Sequence, residues 1–312
     1  MVLAASLVLV GCGSGDEGDE AGADGGAGSL PAVTGAADSA PQVADGAGDP
    51  PGKLVARTLS EGDGPEVARG DLLVTHYVAQ TWTGRTFDSS WQQGQPAAVP
   101  IGIGQVIKGW DEALVGVTAG SRVEVSVPPD KGFGKQGNAQ AGVKGTDTLV
   151  FVFDVLGSYG PKDGATGDPP SGGATGGDVP VEVTGTAPAE PQVSIPEGAQ
   201  APRGLVTRTL AEGNGPPVRK GQTMIAQYVG LRLDDGKTFD SSWQRGQPAA
   251  FPVGVGRVIP GWDEALVGVR AGSRVLLLVP PAKGYGAKGN PQIDVDGKDT
   301  LVFVVDVLGA HG

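Results

Sequence analysis

Few side chains in this sequence can make or break bonds. The histidines are His76 and His311, and the sole cysteine is Cys12. A structural zinc site takes four Cys or His ligands, so no metal site is expected. His311 is next to last, which argues against a two-histidine relay. Gly102-Ile103-Gly104 and Gly254-Val255-Gly256 begin like a dinucleotide loop. The third glycine is misplaced, however, and Val-Ile-x-Gly-Trp follows where a long helix should start. No phosphate loop of full spacing and no Gly-x-Ser-x-Gly elbow occurs, so no cofactor is expected. What remains is aromatic and aliphatic, and it is written twice in one order. The first set is Tyr77, Phe87-Asp88, Val106-Ile107, Trp110, Phe133 and Phe151. The second is Tyr228, Phe239-Asp240, Val258-Ile259, Trp262, Tyr285 and Phe303. Apolar walls with few polar groups suit the binding of an apolar ligand. Asp-Ser-Ser after each Phe reads by itself as a turn capping its own backbone, but that does not account for the ordered aromatics around it.

Elements of two kinds must position these residues. Each Val-Ile-x-Gly-Trp leads into a short helical pattern. Trp110 and Leu114 lie four apart on one face, which Val117 extends, and Gly116 breaks the pattern. Asp111 and Glu112 fall in the first turn, where carboxylates favour the positive end of the helix dipole. So short a helix is unstable alone and must pack, tryptophan down, on something larger. Ser121–Val127 alternates as a strand buried on one face should. Thr148–Leu156 and Thr300–Leu308 are β-branched and aromatic, and Leu72–Gln80 and Thr223–Leu233 are apolar strands carrying Tyr77 and Tyr228. The fold class is therefore α+β: two tandem domains, each an antiparallel sheet wrapped around one short α-helix.

The duplicated unit is about 150 residues long. Val33-Thr34-Gly35 and Pro41-Gln42-Val43 recur as Val183-Thr184-Gly185 and Pro191-Gln192-Val193, ahead of cores that begin at Leu54 and Leu205. Tandem domains are expected rather than a solenoid, whose repeats are shorter. The expected organisation is a signal segment 1–12, an acidic Gly-rich spacer 13–32, domain one over 33–158 (core 54–157), a linker 159–178, and domain two over 179–312 (core 205–309). Formal net charge is −12, which argues against a nucleic-acid partner. Eight of the 35 acids (Asp16, Glu17, Asp19, Glu20, Asp24, Asp38, Asp45 and Asp49) precede residue 51, where no base occurs. Val2–Val10 is apolar, too short to span a bilayer, and suits a signal-peptide core. The stretch ending Leu9-Val10-Gly11-Cys12 resembles a bacterial lipoprotein signal, although no Lys or Arg precedes the core. That resemblance implies a lipid at Cys12 and a place on the extracytoplasmic face of the cell membrane, with a secreted soluble protein as the alternative.

Both copies resemble FKBP-type peptidyl-prolyl cis-trans isomerases, over nearly all of 54–157 and 205–309. The motifs that carry the resemblance are Tyr, Phe-Asp-Ser-Ser, Val-Ile-x-Gly-Trp, Gly-Tyr/Phe-Gly and Thr-Leu-Val-Phe. The family fold is a curved antiparallel sheet around a short helix. The resemblance implies that Trp110 and Trp262 are pocket floors and that Val106-Ile107 and Val258-Ile259 line the walls, with the isoleucine N–H binding a ligand carbonyl. It also places Tyr77, Phe87, Asp88 and Phe151, and Tyr228, Phe239, Asp240 and Phe303, around each pocket. Tyr285 would bind a substrate carbonyl through its hydroxyl. The implied partners are proline-containing polypeptides and macrolides of the rapamycin type. Copy one departs from the pattern at three positions: Phe133 for Tyr285, Gln93 for Arg245, and Val99 for Phe251. Copy two is thus expected to be the better catalyst. The alternative is a non-catalytic, lipid-anchored chaperone or proline-binding module.

Overall fold

The computed structural model describes residues 29–37, 39–170, 175–176 and 179–312. Cys12, the signal segment and most of the acidic spacer lie outside the described residues. In copy one the strands run, in spatial order, Val55–Ser60, Arg122–Val127, Leu149–Tyr159 and Leu72–Thr81. Thr86–Ser89 and Ala97–Pro100 both pair with the last of these, and every pairing is antiparallel. Copy two repeats the order with Val206–Ala211, Arg274–Val279, Leu301–His311 and Thr223–Arg232, flanked by Thr238–Ser241 and Ala249–Pro252. Thr175–Gly176, from the stretch expected to be a bare linker, adds to its edge by pairing with Val206–Ala211.

One helix packs on the inner face of each sheet, Lys108–Leu114 and Pro260–Leu266. Val117 was expected on the helix face but lies past its end, because Gly116 turns the chain with a φ of 88°. Neither helix has a side-chain N-cap. Burial of Gly109, Trp110 and Leu114, and of their counterparts, holds them instead. The glycine before each tryptophan is required by close approach. A Cβ at Gly109 would stand 2.5 Å from Val127 Cγ1, and one at Gly261 2.7 Å from Val279 Cγ1.

Strand alternation sends Val123, Val125 and Val127 into the inner core with Leu73, Tyr77 and Ala79. The other face was expected to be open to solvent, yet Arg122, Glu124 and Ser126 are also buried. The cover is the Pro-rich arm, which folds as a small hairpin, Val33–Thr34 with Gln42–Val43 in copy one and Glu182–Thr184 with Gln192–Ser194 in copy two. The arms are anchored by a buried ion pair in each sheet. Arg122 pairs with Asp154 and donates to the carbonyls of Gly35 and Ser39, while Arg274 pairs with Asp306 and donates to those of Gly185 and Ala189. In copy two the outer face is apolar, with Leu276, Leu278, Val302 and Val304 under Val181 and Val183. The two copies meet at one end of these outer faces. Leu72 and Val74 pack with Ile225, Leu156, Leu308 and Tyr159, and the Tyr159 hydroxyl lies 2.5 Å from His311 Nε2.

Candidate functional site

Each pocket is built from side chains that the inner face and the helix bring together. Tyr228 and Phe303 come from the two central strands, Phe239 and Asp240 from a short flanking strand, and Trp262 from the helix. Trp262 is buried beneath the others, its ring 5.3 Å from Tyr228, 5.3 Å from Phe303 and 4.9 Å from Phe251, all near perpendicular. Edge-to-face packing of this kind fixes ring orientation. The indole N–H is buried and has no acceptor among the described residues, in Trp110 as in Trp262. A cavity of about 470 Å³ opens above this floor, walled by Tyr228, Phe239, Asp240, Phe251, Val258, Ile259, Tyr285 and Phe303. All the copy-two residues singled out above line it, with the exception of Arg245, which stands behind.

The Phe-Asp-Ser-Ser motif does both things its residues suggest. Ser89 and Ser241 cap a one-turn helix, accepting from the N–H of Gln92 and Gln244. Ser90 and Ser242 are buried and accept from the N–H of Tyr77 and Tyr228. This ties the motif to the tyrosine strand and turns the Asp carboxylate toward the pocket. The Tyr77 hydroxyl donates to Asp88 at 2.6 Å, and that of Tyr228 donates to Asp240. Burial above all, then the carboxylate, pushes both phenol pKa values up, so each stays a donor. Arg245 pairs with Asp240 and donates to the Tyr228 hydroxyl at 2.8 Å.

Copy one makes the same frame with different parts. Tyr77 stands 5.2 Å and Phe151 5.4 Å from Trp110, and Phe87 lies edge-on to Phe133 and to Phe151. Val106, Ile107 and Phe133 are half-buried against the core. Gln93 stands where copy two has Arg245, yet it donates to Asp88 at 2.8 Å and supplies a neutral donor to the same carboxylate. The absent ring at Val99 is also partly made good. Phe153, fully buried, sits 4.8 Å from Trp110 and 6.4 Å from Tyr77, where copy two has Val305. One ring has moved from the pocket wall to the packing around the floor. Phe133 itself carries no hydroxyl.

Sequence reasoning missed four residues that line the second pocket, the glycines Gly256 and Gly284 and two positions that differ between the copies, Arg257 and Pro260. The one signal for the latter two was that difference, Gln105 and Lys108 in copy one. Asp111 and Asp263 stand in the first helical turn as expected, whereas Glu112 and Glu264 lie past it. Each Glu reaches a lysine beside the Gly-Phe/Tyr-Gly turn, Glu112 to Lys131 and Glu264 to Lys283, both at 2.5 Å. Each Asp clamps a loop.

The sequence matches the family described as FKBP-type peptidyl-prolyl cis-trans isomerase over residues 64–156 and again over 215–308. The chain belongs to that family. The FK506-binding protein of Streptomyces anulatus is 38% identical over 119 residues, 38% of this chain and 95% of its own length. Mouse FKBP9, a peptidyl-prolyl cis-trans isomerase, is 31% identical over 241 residues, 77% of this chain but 35% of the relative, so the chain spans about a third of that protein. Among solved structures, FkpA from Escherichia coli is 37% identical over 34% of this chain and 48% of that one, with a TM-score of 0.32.

Proposed function

We propose that the second pocket catalyses cis-trans isomerisation of X–Pro bonds in extracytoplasmic polypeptides, and that the first chiefly binds proline-containing segments. One observation carries this. An open apolar cavity over Trp262 is lined by two hydrogen-bond donors that no described residue uses, the Ile259 N–H and the Tyr285 hydroxyl. Turning an X–Pro bond crosses about 18–20 kcal/mol as the amide loses resonance. No nucleophile or metal is needed for that. A twisted amide is less polar than a planar one, so a dry aromatic seat for the proline ring favours it, and catalysis is this difference in binding. The two donors hold the flanking carbonyls while the bond turns. Asp240 orients Tyr228 and moves no proton.

Copy one keeps floor, Val-Ile pair and Tyr-Asp bond but lacks the hydroxyl at Phe133. That favours a binding role there, and the reading of a proline-binding chaperone module applies to it first. Macrolides of the rapamycin type are expected in the second pocket, by likeness to the Streptomyces FK506-binding protein. The apolar run before Cys12 supports a lipid anchor outside the cytoplasm. Isomerisation of a proline peptide by the full chain, compared with Trp110→Leu and Trp262→Leu forms, tests the division. Equal losses from the two variants would sink it. For the anchor, Cys12→Ser should move the protein from the membrane to the soluble fraction, and a wild type found soluble with a free thiol ends that part of the reading.

A further inference from the structure

The loop that carries the Val-Ile wall is held by one side chain. In copy two, Asp263 Oδ1 accepts the Gly254 N–H at 2.6 Å and Oδ2 accepts the Gly256 N–H at 2.7 Å. In copy one, Asp111 accepts from Gly102 and Gly104 at the same 2.6 and 2.7 Å. Both glycines of each loop have positive φ, 78° and 75° in copy two and 80° and 81° in copy one. That backbone is open to glycine and strained for other residues. From Gly256 the chain runs directly through Arg257 and Val258 to Ile259, all lining the cavity. Beyond the two amides that Asp263 holds, no hydrogen bond from a described residue secures the backbone N–H groups of Arg257, Val258 or Ile259. Asp263 also follows Trp262 directly, so the floor and the clamp share one helical turn.

The helix dipole gives a carboxylate here a stabilising place. It does not account for both oxygens reaching back seven and nine residues to two glycine amides. We infer that Asp263, and Asp111 in copy one, are positioning residues of the isomerase: the two-pronged clamp fixes the Gly-x-Gly loop and thereby the distance from the Ile259 N–H to the tryptophan floor. Charge-assisted hydrogen bonds to backbone N–H are about twice as strong as neutral ones, and a carboxylate can accept on both oxygens where a carboxamide accepts on one. Catalysis by position is sensitive to displacements of ~1 Å.

This inference rests on the isomerase reading. The test uses the full chain with Asp111→Asn and Asp263→Asn together. Two readouts are taken: amide hydrogen exchange at Gly102, Gly104, Gly254 and Gly256, and kcat and KM per folded molecule on a proline peptide. Exchange at the glycines should rise about tenfold while strand amides stay protected. kcat should fall about fivefold or more with KM within about twofold, since the loop is displaced in the step that needs it. Unchanged exchange, or faster exchange with full kcat per folded molecule, overturns the inference and leaves the isomerase reading standing. A wild type that turns over no proline peptide overturns both.

Discussion

Tyr285→Phe removes one oxygen from the second pocket and nothing else. Tyr285 lines the same cavity as Ile259, and no described residue accepts from its hydroxyl, so the fold loses no hydrogen bond. Burial first, and the Asp240 charge second, push its phenol pKa up, so it is a protonated donor at neutral pH. A neutral hydrogen bond contributes about 0.5–1.5 kcal/mol. If it is made in the transition state and not in the ground state, its loss slows the reaction about two- to twelvefold. The reciprocal change, Phe133→Tyr, should give the first pocket a similar factor. Separating the copies would expose Val74 and Ile225, so the assay is best run on the full chain with the other pocket disabled by its Trp→Leu change. The readout is the exchange rate of cis and trans proline signals at saturating peptide. A rate unchanged by Tyr285→Phe, with the same unfolding midpoint, would refute the assignment of the hydroxyl.

Trp262→Leu keeps much of the apolar volume, so it should retain the fold and lose most activity of the second pocket; full activity would mean the indole is plain core. Glu124→Leu should stabilise copy one. Its carboxylate is fully buried, Oε1 has no partner among the described residues, and copy two has Leu276 at that place. Burial raises its pKa over the opposing pull of Arg57, so its contribution is present at acid pH and is lost as pH rises through the folded value. Urea unfolding should therefore show a gain of about 1–4 kcal/mol near neutrality that shrinks toward acid, and a pH-independent gain would contradict this. His311 behaves oppositely. Burial holds its pKa down to about 4, so the neutral ring is favoured in the folded protein, and that stability fades as pH falls from about 6.5 toward the folded value. Discounted for partial exposure, roughly 1–3 kcal/mol should be lost over this window. A protection factor at Ile225, the observed exchange corrected for the intrinsic rate at each pH, that falls toward acid would report it, and an unchanged protection factor would show that the contact with Tyr159 carries no such coupling.

The duplicated motif carried a great deal in linear form. Val-Ile-x-Gly-Trp, Phe-Asp-Ser-Ser and the aromatic order pointed to the fold class, the family and the lining of the second pocket, because those properties depend on residue type and local spacing. Gly109 and Gly261 were visible as glycines, but only packing showed that Val127 and Val279 leave no room for a Cβ. Other properties depend on contacts between residues far apart in the chain, and the alternation pattern is blind to them. Glu124 and Ser126 read as a solvated face, yet an arm more than 70 residues upstream covers that sheet and ties itself to Arg122. Phe153 and Phe251 occupy different strands, so a position-by-position comparison of copies scored a loss where the folded chains show a ring moved. Asp263 satisfied a local rule for helix starts. Only the turn of its own loop, bringing Gly254 and Gly256 back over the helix, made it a clamp. Hydrogen bonds and ring contacts are made in three dimensions, and where the chain returns on itself is set by the whole sheet.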